Sequence, residues 1–354
     1  MYLYEEELPL SGGPGGPPQR AGPGVPVRLE DFANGVVLPH EETLSKAKED
    51  RFQLLSATRC NFSSIYSLYR DEGGLTRQRL LNLKNTCPPR YAFSDGLVTH
   101  RLWVVNDPVA IQALREDFAG RKLYIADGHH RYETGLRYRD ALREQGAYLP
   151  GSEYILMTLT DMEDPGLTVF PTHRLVRGGG LDEAALLSAC QEDFSLAPCK
   201  TRQESLAALE EAYREGQHAF ALYSGREWTV LTLKDPAVME ALLPGTSPAY
   251  RTLDVSILHS LVLERLLGID KENMASQKNL TYTRSAEEAQ RSVDQGAEPV
   301  LLPLEPPPGV EEIGQVAQNR GEDAPEVHLF FTPSSSPGWL STPWRTDPLS
   351  PRQC

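Results

Sequence analysis

The chain has 354 residues, a length that suggests two compact units of roughly 150 residues each, or one large domain with tails. Its 40% hydrophobic content and mean hydropathy of -0.40 are those of a soluble globular protein. A net charge of -14 argues against a general nucleic-acid binder, which needs an excess of Lys and Arg, but leaves room for a local basic pocket that takes a small anion.

Five cysteines, Cys60, Cys87, Cys190, Cys199 and Cys354, are scattered and include no Cys-x-x-Cys pair. They read as free thiols in a reducing cytosol and give a structural zinc site little support. No apolar run is long enough to span a bilayer, and the N-terminus lacks a basic segment followed by an apolar one. The expectation is a cytoplasmic protein with a small-molecule substrate and neither a membrane nor a nucleic-acid partner. Nothing in the sequence reveals the oligomeric state.

Met1 to Leu8 reads as the acidic end of a strand. Ser11 to Pro26 is rich in Gly and Pro and predicts no regular element, so the folded chain is expected to resume at Val27. Val27 to Leu29 and Gly35 to Leu38 are strand candidates, and Thr43 to Leu55 reads as a polar helix. Phe62 to Tyr69 and Arg101 to Val105 are strands, the latter followed by a helix over Pro108 to Phe118 capped by Asp107.

The next segment is the most informative. Leu123-Tyr124-Ile125-Ala126 is a short apolar strand, followed by the turn Asp127-Gly128, the cluster His129-His130-Arg131 and a helix. A strand that turns at glycine into a helix start points backbone N–H groups outward. The helix dipole adds partial positive charge there, and Arg131 adds a full one. Such an arrangement suits phosphate. Asp127 sits at the lip of the turn, where a carboxylate holds a metal or accepts a proton. The bland alternative is an ordinary Asp-Gly turn with a solvated His-Arg loop. Adjacent histidines point to different sides, so a two-histidine metal pair on one helix face is not expected.

Beyond the turn, Gly135, Tyr138 and Leu142 form a stripe on one helix face, and Tyr154 to Leu159 is a buried strand. Gly178-Gly179-Gly180 is the expected domain division. Leu206, Leu209 and Tyr213 mark a helix that stops at Gly216. Ala219 to Tyr223 and Trp228 to Leu233 form a hairpin turning at Ser224-Gly225. A buried helix runs from Val255 to Leu266, closed by Gly268. Residues 286–295, 300–304 and 310–319 read as helix, strand, helix. The mixture predicts an α+β fold, a mixed sheet with packed helices.

At Asp127-Gly128-His129-His130-Arg131 the chain resembles the ParB/sulfiredoxin-like superfamily, whose phosphate loop has a Gly-x-x-Arg core. Within it, the chain is most similar to the free L-serine kinase branch, which shows the same five residues after a strand. Leu38-Pro39-His40-Glu41 is similar to that branch's Pro-His-Glu segment, whose Glu is catalytic. Residues 219–233 and 286–321 resemble later parts of the same kinases. From Val27 to Gly321 the chain also resembles a widespread bacterial and archaeal family of unknown function.

The resemblance implies a ParB-like phosphate-binding core over 27–177 and a C-terminal α/β domain over 181–322. It implies a phosphotransferase making O-phosphoserine from free L-serine, with Mg²⁺ and with ATP, ADP or pyrophosphate as donor. Glu41 then takes the proton of the acceptor hydroxyl as attack develops. Without the resemblance, Glu41 reads as a surface carboxylate beside Glu42. Asp127 orients the hydroxyl or holds Mg²⁺, while Gly128, His129, His130 and Arg131 bind the donor's phosphates. His40 and Asn61 are candidates for acceptor contact. His173-Arg174 are further candidates for substrate contact, and they and Asn61 also read as ordinary polar residues of loops or strand ends. Lys46, Lys48 and Arg51 follow Glu41 closely, and on a helix Lys48 and Arg51 share a face. They add positive charge for a polyphosphate or, equally, form a solvated helix with pairs to Glu49 and Asp50.

Three other classes compete. A ParB-type nucleotide switch or DNA-partition regulator predicts a helix-turn-helix and a basic surface, against which the acidic charge counts. A sulfiredoxin-like reductase needs a loop cysteine where His129 or His130 stands. The last is an inactive remnant, because both ends depart from the kinase pattern. Residues 1–26 read as a truncated strand and a Gly/Pro tract. In the kinases the Gly-Glu that ends the last helix is followed by Pro-x-Lys-Ser/Thr-Thr, whereas here Gly321-Glu322 runs into Asp323-Ala324-Pro325-Glu326-Val327-His328-Leu329-Phe330. Those residues can be encoded by GAT GCC CCA GAA GTC CAC CTT TTT, a string that, read one nucleotide later, gives Met-Pro-Gln-Lys-Ser-Thr-Phe. Residues 323–354 are therefore expected to be a frameshifted, disordered tail. Resequencing the gene across codon 322 is expected to reveal an inserted or deleted base, and an intact reading frame there would discard the idea.

Overall fold

The computed structural model describes residues 1–7, 19–40, 45–95, 98–167, 169–170, 173–177, 183–270, 273–274, 278–283, 285–295, 300–302, 330–331 and 342–343. The chain divides into two compact units, one of Met1–Thr168 with Phe331–Cys354 and one of Val169–Phe330.

In the first unit the elements run β1 (Tyr2–Glu7), β2 (Gln19–Arg28), β3 (Val37–Leu38), α1 (Ser45–Thr58), β4 (Cys60–Asn61), β5 (Ile65–Tyr69), α2 (Leu75–Thr86), β6 (Tyr91–Ser94), β7 (Thr99–Val104), α3 (Pro108–Asp117), β8 (Leu123–Asp127), α4 (His129–Glu144) and β9 (Tyr154–Asp161). Eight strands form one mixed sheet in the order β3-β8-β5-β9-β2-β1-β7-β6. The pairs β3·β8 and β5·β9 are parallel, and β5·β8 and β2·β9 are antiparallel. β5 is buried throughout, which its run Ile65-Tyr66-Ser67-Leu68-Tyr69 demands of a strand with neighbours on both edges.

α4 lies close against this sheet because residue 135 is glycine. A Cβ there would stand 2.8 Å from Ile155 Cδ1 and 3.4 Å from Leu29 Cδ2. Tyr132, one turn earlier, is fully buried. Its ring stacks on Phe32, and its hydroxyl donates to the Glu30 carbonyl at 2.7 Å while accepting from the Glu30 N–H at 2.9 Å. α1 runs along α4 through Lys48–Glu133 and Arg137–Glu49 ion pairs, both 2.8 Å, with the Arg137 guanidinium 4.1 Å from the Phe52 ring centroid.

The expectation for residues 11–26 is corrected in part, since Gln19 to Pro26 belong to a ten-residue strand. The glycine and proline content hid it. Gly22 is required by packing: a Cβ there would stand 2.0 Å from the Leu159 carbonyl oxygen. β2 pairs with β1 over residues 19–24 and with β9 over residues 24–28. Pro23 and Pro26 thus each lie where only one neighbour is laddered, and the missing N–H can face the other side. α2 was also hidden from sequence reading. Its N-cap is Gly74 in the left-handed region, and its first-turn N–H groups of Thr76 and Arg77 donate to the Asp71 carboxylate at 3.2 and 2.8 Å. Asp107 caps α3 as expected, accepting from the Val109 N–H.

The second unit holds β10 (Val169–Phe170), β11 (His173–Val176), α5 (Glu183–Cys190), β12 (Phe194–Cys199), α6 (Arg202–Arg214), β13 (Ala219–Tyr223), β14 (Trp228–Leu233), α7 (Val238–Leu242), α8 (Pro248–Arg251), α9 (Asp254–Ile257), β15 (Leu280–Thr283), α10 (Ala286–Asp294) and β16 (Val300–Leu302). Six strands form an antiparallel sheet in the order β12-β14-β13-β16-β11-β15. The 219–233 hairpin turns at Gly225 (φ 90°) as expected. The buried helix expected over Val255 to Leu266 begins as α9 and continues as a π-helical stretch, Leu258–Glu264, whose Leu258, Leu261, Val262 and Leu263 sit in the core.

The helix expected over 310–319 lies outside the described residues. Within 323–354, Phe330–Phe331 and Thr342–Pro343 are short strands, the latter paired antiparallel with β4, and the other residues lie outside those described. Cys60, Cys87, Cys190 and Cys199 are free thiols. Among the described residues, no helix is long and apolar enough to cross a membrane. Replacing Gly135 by Val is expected to push α4 off Ile155 and lower stability by ~1–3 kcal/mol in urea denaturation.

Candidate functional site

β8 enters the sheet between β3 and β5 and is buried over Leu123 to Ala126, while its last residue, Asp127, is exposed. The chain then reverses into α4 through Gly128, whose φ of 106° lies in the region that side chains avoid. Gly128, the N-cap residue, has no side chain to cap the helix, and the first intrahelical bond runs from the Tyr132 N–H to the Gly128 carbonyl at 3.0 Å. The N–H groups of the first turn therefore have no acceptor within the helix, and the positive end of its dipole lies at the turn.

Arg131 folds back over this turn. A Cβ on residue 128 would stand 2.9 Å from Arg131 Nη2 and 3.0 Å from Cζ and Nε, so the guanidinium lies against the bare Gly128 Cα. Nη2 pairs with Asp127 Oδ2, and Nη1 donates to Ser63 Oγ at 3.0 Å and to the Ser64 carbonyl. Burial pulls the guanidinium below its ordinary pKa, Asp127 opposes that, and the charge of Arg51 adds to it. Arg51 is thus close enough for its charge to be felt at Arg131. Ser63 and Ser64, in the β4–β5 connection, carried no signal that set them apart from ordinary turn serines. Ser64 Oγ accepts from Thr158 Oγ1 at 2.9 Å, which ties the connection to β9.

His129 and His40 meet beneath the turn. His129 is 0% exposed and His40 1%. The His40 N–H donates to His129 Nε2 at 3.3 Å, and His40 Nδ1 lies 2.8 Å from the Ile125 carbonyl. A carbonyl only accepts, so His40 carries a proton on Nδ1. His129 accepts through Nε2, so its own proton is on Nδ1. The rings pack edge-on with centroids 4.6 Å apart. The structure thus brings the Pro-His segment and the Asp-Gly-His-His-Arg turn together.

The other sequence candidates fall as follows. Glu41 and the side chain of Lys46 lie outside the described residues. Lys48 reaches across to Glu133 on α4, a pair that neither sequence reading contained. Arg51 is exposed. His130 is partly buried, with its carbonyl accepting from Thr134 Oγ1. Asn61 is buried on β4, two residues before Ser63. His173 and Arg174 are buried in β11 of the second unit, and burial, with Arg174 adding to it, holds the His173 imidazole down at about 4.

Among the described residues, no three or more His, Cys, Asp or Glu side chains gather as a metal site. Asp127 offers a single carboxylate, which fits a hard cation such as Mg²⁺ that keeps several waters and takes its other ligands from phosphate. A cavity of about 920 Å³ in the first unit is lined by apolar side chains including Val25, Val27, Phe118 and Ile155, and no residue of the 127–131 turn lines it.

Residues 1–256 match the family model described as a protein of unknown function, DUF1015. The chain belongs to this family. The sequence had pointed to a family of that description from Val27 onward. No curated protein matches this DUF1015 chain. Among solved structures, a conserved hypothetical protein from Pyrococcus furiosus is 14% identical at a TM-score of 0.40, covering 87% of this chain and 90% of that one. A free serine kinase in complex with AMP is 14% identical at a TM-score of 0.40, covering 83% of this chain and 81% of its own. SbnI with a C-terminal truncation, from Staphylococcus aureus, is 12% identical at a TM-score of 0.35, covering 83% of the DUF1015 chain and 76% of its own. Likenesses at this level set neither the fold nor the activity of the chain.

Changing His129 to Ala removes the acceptor of a buried N–H. Chemical denaturation is expected to show a loss of about 1–3 kcal/mol, while the conservative His129→Gln variant, which retains an acceptor, loses less.

Proposed function

We propose that the chain is a phosphotransferase that moves a phosphoryl group from ATP, ADP or pyrophosphate to a small hydroxyl acceptor in the cytoplasm, with free L-serine as that acceptor. One observation carries the reading. The start of α4 at Gly128 and the Arg131 guanidinium converge on one turn, and the Pro-His segment is hydrogen-bonded to the same turn. Helix starts of this kind hold phosphate through backbone N–H groups and dipole. In this reading residues 27–177 are a ParB/sulfiredoxin-like phosphate-binding core and residues 181–322 a C-terminal domain.

The chemistry follows from the residues. The acceptor oxygen attacks the donor's terminal phosphorus, the new O–P bond forms and the bridging P–O bond breaks. Glu41 takes the hydroxyl proton, and the leaving phosphate carries the electron pair away. Gly128, His129, His130 and Arg131 counter the charge on the donor. The His129 ring already accepts from His40, so its share comes from the backbone N–H. Arg51 adds long-range attraction, whereas Lys48 is engaged by Glu133. His40 serves chiefly to hold the Glu41-bearing segment against the turn, and Asn61 is assigned to the acceptor. Mg²⁺, when bound, supplies charge neutralisation on the donor, and Asp127 is the residue that would hold it.

The test is direct. The full chain, given serine, Mg²⁺ and each of the three donors in turn, is expected to yield O-phosphoserine by mass spectrometry. Glu41→Gln is expected to lower kcat by ~10²–10⁴-fold with little change in KM. Absence of product with all three donors overturns the assignment.

A further inference from the structure

The two groups at this turn with opposite tasks are each other's partners. Arg131 is the cation suited to phosphate, and Asp127 is the anion suited to a divalent metal, yet Arg131 Nη2 is paired with Asp127 Oδ2. The other arm of the guanidinium is fixed independently, by Ser63 Oγ and the Ser64 carbonyl, and Thr158 secures Ser64. The guanidinium plane is therefore held whether or not Asp127 stays. Asp127 is 57% exposed at its side chain and Arg131 23%. The exposed Asp127 carboxylate is readily rehydrated when it leaves, whereas a guanidinium–phosphate pair is charge-assisted and can be bidentate. The balance favours exchange.

We infer that phosphate binding at this turn exchanges the Asp127–Arg131 ion pair for an Arg131–phosphate pair, and that the released Asp127 carboxylate becomes the ligand of a divalent cation. Phosphate and metal then bind with positive coupling, because each removes the other's competitor. Linkage makes the coupling reciprocal. Ser63 and Ser64 are positioning residues in this scheme: they keep the guanidinium in place during the exchange. The inference rests on the phosphate-binding role proposed above, and its test separates the two.

The experiment titrates the full chain with inorganic pyrophosphate, with and without Mg²⁺, by calorimetry and by phosphorus NMR, which reads weak binding. In the absence of Mg²⁺, Asp127→Asn frees Arg131 and is expected to tighten pyrophosphate binding by about three- to fivefold, the upper end of what a partly exposed ion pair contributes. Mg²⁺ is expected to strengthen binding to the unaltered chain and to do little for Asp127→Asn. The deciding measurement is the same Asp127→Asn change made in an Arg131→Gln chain. Exchange predicts that the gain vanishes there, whereas simple relief of repulsion between Asp127 and phosphate predicts that it persists. If Arg131→Gln fails to fold, Arg131→Lys replaces it: lysine cannot hold Asp127, Ser63 and Ser64 together, so the gain shrinks. No gain with Asp127→Asn, or a gain that survives without Arg131, overturns the exchange. No pyrophosphate binding by any of the proteins, with or without Mg²⁺, overturns the phosphate site itself.

Discussion

The reversal of the chain at Gly128 is the constraint on which the first unit turns. A strand buried over Leu123 to Ala126 must become a helix whose Gly135 face lies on the same sheet. That geometry needs a left-handed residue with nothing on its Cα, and Gly128 supplies it. The geometry of the turn follows from the reversal. It sets the positive end of the α4 dipole there, exposes Asp127, lets the Arg131 guanidinium lie over the bare Cα, and sends the His129 ring inward.

The inward histidine changes how the two motifs relate. Read as sequence, Pro-His-Glu and Asp-Gly-His-His-Arg are separate signals some ninety residues apart. In the fold, one histidine of each is buried, and the pair fixes both tautomers through contacts with the backbone. The buried imidazoles thus do structural duty, and Asp127 is the charged group that the turn leaves exposed, with Arg131 paired to it. Adjacent histidines pointing to different sides was a sequence expectation, and the buried His129 beside the partly buried His130 agrees with it.

Local signals were legible where the physics was local. Asp107 capping α3, the 219–233 hairpin with Gly225 and the strand–turn–helix at 123–131 all announce themselves within a few residues. Signals that depend on a distant partner were not legible. β2 reads as a Gly/Pro tract until the Leu159 carbonyl shows why residue 22 has no side chain. α2 is the exception, a local signal that was missed because the helix begins at a glycine and its capping carboxylate, Asp71, stands three residues before the N-cap instead of at it. Lys48 was weighed against Glu49 and Asp50 on its own helix, yet its partner, Glu133, is on another. Ser63 and Ser64 acquire meaning only because Arg131 reaches them across the sheet end.

The seam within β2 bears on how a nascent chain would assemble. The strand spends its first half on β1 and its second on β9, so the two flanks of the sheet are spliced at Gly24. β1 finds its other neighbour only in β7, with Tyr2 opposite Val104. During synthesis the residues of β1 must therefore wait, unpaired on one edge, until some hundred more have emerged. The charge of Glu5 and Glu6 makes such a delay tolerable, because acidic side chains keep the waiting edge of β1 hydrated before the fold buries them.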